Sequence, residues 1–392
     1  MNKLKAIITK AALVGENLEY KEHTCLLVKD DRIEDFVTES EMEHLSEDWQ
    51  RVDLRDAVVL PGMFDCHNHL ALDARIPGHL GMMEQSECEH TVLALRGMKD
   101  DLMSGVTTSR YMGDRHYIDV KLKKLVQEGK VIGPDLLVCG IGMRAAHGHG
   151  FVGMPHSGVE DFRRTCRENL SMGVDHLKIF ITPGTPVASP EEFIPCYLTM
   201  QEVRTVVEEA ASVNVKTTAH CIGGKGLDYC IDAGVDVIDH LYSVTPMQIK
   251  RLEEDFDGWV DMTSGIVLDE SREAFTPEAQ NIKMRRAREY SRKCINQVYQ
   301  SGKIRFTLGT DAYHGYLYRE VGYAVEGGAT SMDAVKAVTV NAAKMTGTDQ
   351  IKGQLAKGYI ADIIAVPGNP IEDVSLLGQV SFVMKHGKIY KQ

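Results

Sequence analysis

Apolar positions change their spacing twice along the chain. Up to Ala57 the apolar stretches AIITKAALV, TCLLVKDDRIEDFV and QRVDLRDAVVL are short, β-branched and partly alternating, with turn residues between them. This predicts strands of a small sheet. From Val58 short apolar runs alternate with longer amphipathic segments, as βα units on a parallel sheet require. VVLPGMFDCH, GVTTSRYM, DLLVCG, DHLKIFI, VKTTAH, VDVIDHL, GWVDMT and KIRFTLGTD make eight strand candidates. Helices are predicted over 87–104, 117–129, 159–172, 199–213, 224–233, 246–254, 276–302 and 331–345. Eight strands, each followed by a helix, are what a closed (β/α)8 barrel needs. An open doubly wound sheet has the same count, but no glycine-rich phosphate fingerprint stands at its first turn. GQLAKGYIADIIAVPGN and VSFVMKHGKIYK then return to β-like patterning. The expected class is α/β: a (β/α)8 TIM barrel over 58–354, with 1–57 and 355–392 building one small β-sandwich domain from both chain ends.

Catalytic groups of such a barrel sit at the C-terminal ends of its strands. The first strand ends in His67 and His69, which period-two geometry turns the same way. The fourth carries Lys178, the fifth ends with His220, the sixth with His240 and the eighth with Asp311. Lysine inside a buried strand is costly unless it is neutralised or paired. The plain alternatives are a hydrogen-bonded histidine pair beside a loop and a lysine ion-paired to a neighbouring carboxylate. Four histidines, a lysine and an aspartate converging on one mouth fit a metal centre better, and such donors suit Zn²⁺ or Mn²⁺.

HxH after the first strand, Lys on the fourth, His on the fifth and sixth, and Asp in GTDA on the eighth resemble the amidohydrolase superfamily. The resemblance covers essentially the whole chain, including the PGMFDCHNH entry and the tail from NAAKMTG to VMKHGKIY. It implies a cofactor of two divalent metal ions, zinc by expectation. His67, His69 and Asp311 would hold the more buried ion and His220 and His240 the more exposed one. Lys178 would bridge them as a carbamate formed with CO2. Asp311 would then act as general base and general acid in metal-assisted hydrolysis of a C–N bond.

Within the superfamily, 219-AHCIGGKGLDYCIDAGVDVIDH-240 and 311-DAYHGYLYRE-320 resemble the branch of Xaa-Pro dipeptidases, metal carboxypeptidases and ochratoxin-type amidases, a neighbour of imidazolonepropionase. The branch often has a histidine two positions after the fifth-strand ligand, where this chain has Ile222, and its TGGHGD-like loop is replaced by 145-AAHGHGF-151. The resemblance implies catalytic roles for His149 and Tyr242. His149, His314 and Arg144 are expected to contact substrate, with His147 and Lys225 as weaker candidates. A dipeptide or N-acyl amino acid is the expected substrate. The alternative is a cyclic amide hydrolase or heterocycle deaminase, against which Lys178 argues.

Composition narrows the partners rather than the chemistry. The 392 residues are 43% hydrophobic and 26% charged, with a formal charge of −12. That balance disfavours nucleic acid and anionic membranes, and leaves a small-molecule substrate and a homo-oligomer as the expected partners. Nine cysteines without a CxxC pair suit reduced thiols in a cytoplasmic protein. No stretch approaches the roughly 18–20 apolar residues of a membrane span. The start does not read as a signal peptide.

Overall fold

A computed structural model describes residues 4–392. Both chain ends meet in one eight-stranded sheet. Its path runs Lys388–Lys391, Phe382–Lys385, Ile363–Val366, Gln50–Pro61, Leu4–Val14, Thr24–Lys29 and Arg32–Thr38, with Glu19–Glu22 beside Leu4–Val14. Leu4–Val14 and Gln50–Pro61 run parallel, and the other pairs are antiparallel. Alternation sends Ile7, Leu26, Val52, Val59, Ile363 and Phe382 to one apolar core, and Ala6, Ile8, Cys25 and Leu27 to another. The small β unit thus has two packed faces on a single continuous hydrogen-bonded sheet.

The expected first barrel strand is divided. Val58–Pro61 pairs with Ile363–Val366 in the small sheet, and the barrel strand Met63–Asn68 begins only after Gly62. An unbroken apolar run reads the same whether or not it changes partners, so this switch is invisible to periodicity.

The eight barrel strands are Met63–Asn68, Val106–Tyr111, Asp135–Leu137, His176–Phe180, Lys216–Gly223, Val237–Ser243, Trp259–Met262 and Phe306–Leu308. The first three form one parallel ladder and the last five another, which two short strands extend beside the fourth. A few hydrogen bonds span the two seams: Asp175 N and His176 N donate to the Val138 carbonyl at 2.7 and 3.4 Å, and Asp311 N to the His67 carbonyl at 2.8 Å. Leu177, Ile179, Ala219 and Cys221 face outward onto Phe162, Val203, Val206 and Leu227 of the surrounding helices.

Seven helices lie close to their predicted ranges, from Glu87–Met103 to Glu278–Gln300. The predicted eighth is two helices, Ser331–Ala337 and Val340–Thr346. Ahead of it stands an unpredicted helix, Leu317–Glu326, which buries Leu317, Glu320, Val321 and Ala324. The spacing is helical, but a glutamate within the apolar stripe conceals it. Among the described residues no helix is long and apolar enough to cross a membrane.

Candidate metal centre

Asp65 ties the first strand to the last. Its Oδ1 accepts from His67 N at 3.2 Å and Thr310 N at 3.1 Å, and its Oδ2 from the Thr310 hydroxyl at 2.7 Å. Burial, with Asp101 nearby, pushes the Asp65 carboxyl up to about 7. The segment 309-GTDA-312 crosses His67 so closely that a Cβ on Gly309 would stand 2.4 Å from His67 N. Asp311 and Ala312 then take left-handed backbone, φ 51° and 68°. This turn brings Asp311 Oδ1 to 3.6 Å from His67 Nε2 and 3.3 Å from His69 Nε2.

The other histidines arrive from neighbouring strands. Ring centroids lie 4.7 Å apart for His67 and His240, and 4.4 Å for His240 and His220. His240 Nδ1 hydrogen-bonds the Thr263 hydroxyl at 2.7 Å, leaving Nε2 buried without a partner. His220 Nε2 donates to the Pro183 carbonyl at 3.1 Å, so its Nδ1 is the atom left for a ligand role. His67 Nδ1 and His69 Nδ1 are likewise buried without hydrogen bonds.

Lys178 is fully buried, and its ammonium pairs with Asp239. A lysine paired to a neighbouring carboxylate was one of the alternatives the sequence left open. Asp239 precedes His240, so plain strand alternation would send the two to opposite faces. Asp239 lies in register with His220 and Asp261 of the neighbouring strands and so faces inward, and left-handed backbone at His240 and Leu241, φ 82° and 54°, turns the next imidazole inward as well. Asp239 Oδ2 consequently lies 3.5 Å from His67 Nδ1. Two donor groups result, His67–His69–Asp311 and His67–Asp239–His240, each with ligand atoms within 4.8 Å of one another.

Electrostatics favour the ligating protonation states. Burial, then Lys178, presses His67 down to about 4. Burial and the adjoining imidazoles hold His220 and His240 well below their ordinary value. Burial opposes ionisation of Asp311, but the hydrogen-bonded His69 and nearby His67 hold its carboxyl well below the usual range. Neutral imidazoles and ionised carboxylates are what a divalent cation requires. With buried orphan ring nitrogens in the same cluster, the residues fit a metal centre.

A cavity of about 780 Å³ opens over His67, His69, His220, His240 and Asp311. His149 lines it, 4.8 Å from His220 between ring centroids. Only a glycine leaves room opposite, since a Cβ on Gly184 would stand 2.5 Å from His149 Nε2. Burial lowers His149 to about 4. His147 is exposed and packs on Tyr197. Lys225 lies over the Tyr229 ring, outside this cavity.

Three expected substrate or catalytic contacts are placed differently. His314 is fully buried, with Nδ1 2.9 Å from Asp101 and Nε2 3.0 Å from the Leu72 carbonyl, so it has no atom to offer the cavity. One Arg144 nitrogen donates to the carbonyls of Ala145, Ala146 and Gly148, so the side chain braces that loop and does not line the cavity. Tyr242 borders the cavity, but its hydroxyl donates to the Thr263 carbonyl at 2.8 Å and contacts the Thr263 hydroxyl. That geometry positions Thr263 and His240; it leaves no free donor for an oxyanion.

Residues 58–390 match the model of the amidohydrolase family. The chain belongs to this family. Among curated relatives, ochratoxinase of Aspergillus niger is 27% identical over 377 residues, covering 86% of this chain and 76% of that protein. The crystal structure of a Xaa-Pro dipeptidase with bound methionine in the active site superposes with a TM-score of 0.84 at 24% identity, covering 100% of both chains. That of A. niger ochratoxinase gives 0.83 at 23% identity, covering 100% of this chain and 96% of the other. This amidohydrolase is therefore a metal-dependent hydrolase acting on C–N bonds, built as a barrel with a mixed sheet from its chain ends.

Proposed function

We propose that this amidohydrolase is a binuclear enzyme that hydrolyses the amide bond of a dipeptide or N-acyl amino acid. The observation that carries the reading is a pair of donor groups sharing His67 on the floor of a largely apolar cavity. Its volume lies within the usual range of small-molecule sites, about 300–1,000 Å³. The relatives named for Xaa-Pro dipeptide and ochratoxin hydrolysis support the same class.

His67, His69 and Asp311 would hold one ion and His220 and His240 the other, with Lys178 between them as a carbamate. Charge supports the carbamate. An ammonium beside two divalent cations would add a third buried positive centre, whereas a carbamate with Asp239 and Asp311 offsets most of their charge. Bound zinc would supply Lewis acidity and lower the pKa of a water to about 7. Asp311 accepts the proton of the attacking water and returns it to the leaving nitrogen. His149, a neutral imidazole beside His220, donates to the scissile carbonyl oxygen as charge develops there. Tyr242 and Thr263 hold the His240 ring so that Nε2 faces the centre. Phe180, Val152 and Met83 keep water from the apolar part of the substrate.

Reconstitution with zinc and bicarbonate tests the reading. Two zinc ions per chain are expected, with turnover of dipeptides or N-acyl amino acids. Lys178→Ala should bind less than one ion and lose turnover by several orders of magnitude. Full activity in Lys178→Ala would sink the binuclear centre, and turnover of lactams alone would sink the substrate class.

A further inference from the structure

We propose that Arg272 and His79 form a subsite for the α-carboxylate of the amino acid released by the reaction. The inference rests on the hydrolytic reading above and names the group that orients its substrate.

Arg272 lies on the short 3-10 turn Glu270–Phe275, in the loop after the seventh barrel strand. Its arginine neighbours are all neutralised: Arg285 by Glu273 and Glu278, Arg288 by Glu270 and Glu273, and Arg319 by Asp269. Arg272 differs. Among the described residues no carboxylate oxygen lies within 4 Å of its guanidinium. It makes only long contacts, 3.4 Å to the Thr310 carbonyl and 3.3 Å to that of Asp311, and rests over the Tyr313 ring at 4.6 Å. Yet it is only 7% exposed and lines the cavity. A cation so enclosed needs an anion.

His79 stands across the same wall, on the turn His79–Glu84 after the first barrel strand. It is 9% exposed, and its Nδ1 is buried without a hydrogen-bond partner. Burial, then Arg272, keeps the ring below its ordinary pKa, so it offers one N–H as a neutral donor. The two residues also share a small side chamber next to the main cavity.

Position specifies the ligand. Arg272 reaches the backbone of Asp311, the residue that returns a proton to the leaving nitrogen. In a C-terminal amino acid a single carbon separates that nitrogen from the carboxylate. A carboxylate subsite must therefore adjoin the proton donor, as Arg272 does. A lactam or an amidated peptide has no anion at this point. Of the other cations lining the cavity, Lys283 is exposed, and Arg115 is only half-buried and donates to the Phe151 carbonyl at 3.0 Å, in the loops after the second and third strands.

The test uses zinc-loaded full-length protein with N-acetyl-L-phenylalanine and its C-terminal amide, in wild type, Arg272→Met and Arg272→Lys. Binding of L-phenylalanine and L-phenylalaninamide is measured by calorimetry alongside. Wild type should prefer the acid. Arg272→Met should lower kcat/KM for the acid by about 10- to 100-fold and leave the amide within about threefold, with Lys restoring part of the loss. Unchanged zinc content shows that the centre survives. Equal losses on acid and amide would mean that Arg272 acts only through Asp311, and would overturn the subsite. If wild type hydrolyses neither compound, this substrate class fails, and binding decides the subsite separately. L-Phenylalanine bound by wild type and weakened in Arg272→Met upholds it; no binding, or binding untouched by the variant, overturns it.

Discussion

Lys178 and Asp239 are each fully buried, and neither has another opposite charge in contact. Replacing one partner of such a pair leaves a bare charge in the barrel, which costs about 3–5 kcal/mol. In metal-free protein, Asp239→Ala should therefore lower unfolding stability by about that amount in urea titration. Lys178→Met combined with Asp239→Leu should regain most of it, and a single-variant loss near zero would show the pair to be uncoupled. The sequence exposes Lys178, because a cation on the inner face of HLKIF violates burial at once. Asp239 escapes because alternation counted from His240 assigns it to the opposite face, whereas its register with His220 faces it inward and the left-handed backbone of His240 and Leu241 turns that histidine inward beside it. Arg272 and His79 escape for another reason: loop residues carry no periodicity from which a direction can be read.

The loop after the eighth strand shows what an element decides. The resemblance of 311-DAYHGYLYRE-320 to its branch implies a substrate contact at His314. The turn at Asp311–Ala312 sends it behind the mouth, onto Asp101 of the helix Glu87–Met103. Gly315 N also donates to Asp101, at 2.9 Å, and Arg75 to the His314 carbonyl at 3.1 Å. Burial opposes charge on His314, but Asp101 outweighs it and raises the imidazole to about 9. A histidine raised on folding stabilises fully below its unfolded pKa, about 6.5, and the contribution is lost as pH rises through the folded value. Unfolding free energy measured at pH 6.5 and again near pH 9.5 should fall between the two, and His314→Gln should flatten that fall. An unchanged slope in the variant would dissociate His314 from the effect.

At the scale of the whole molecule, the barrel and the terminal sheet are joined by charge. Asp135, where the third barrel strand begins, meets Lys352 at 2.5 Å, Lys385 at 2.8 Å and His386 at 2.7 Å. Lys352 also reaches Asp362 at 2.8 Å and the Thr108 hydroxyl at 3.1 Å. Both lysines are buried, so losing Asp135 strands Lys385 and leaves Lys352 with Asp362 alone at the joint. The two tryptophans report on the two sides, Trp49 beside the small sheet and Trp259 in the seventh barrel strand. In single-tryptophan backgrounds the two fluorescence transitions should coincide with Asp135 present. Asp135→Ala should separate them, with Trp49 melting first; coincident transitions in the variant would show that the joint lies elsewhere.

The sequence alone determined the strand–helix alternation, a small β unit built from both chain ends and the metal-centre candidates. Each of these is written in a local period or in a residue type that a buried strand rejects. Tertiary structure decided where Val58–Pro61 pairs, that Asp239 joins His67, that His314 is used up on Asp101 and Leu72 while Arg144 braces its own loop, and that Arg272 has no carboxylate partner beside Asp311. These depend on which distant backbone a turn meets, and neither spacing nor composition records that.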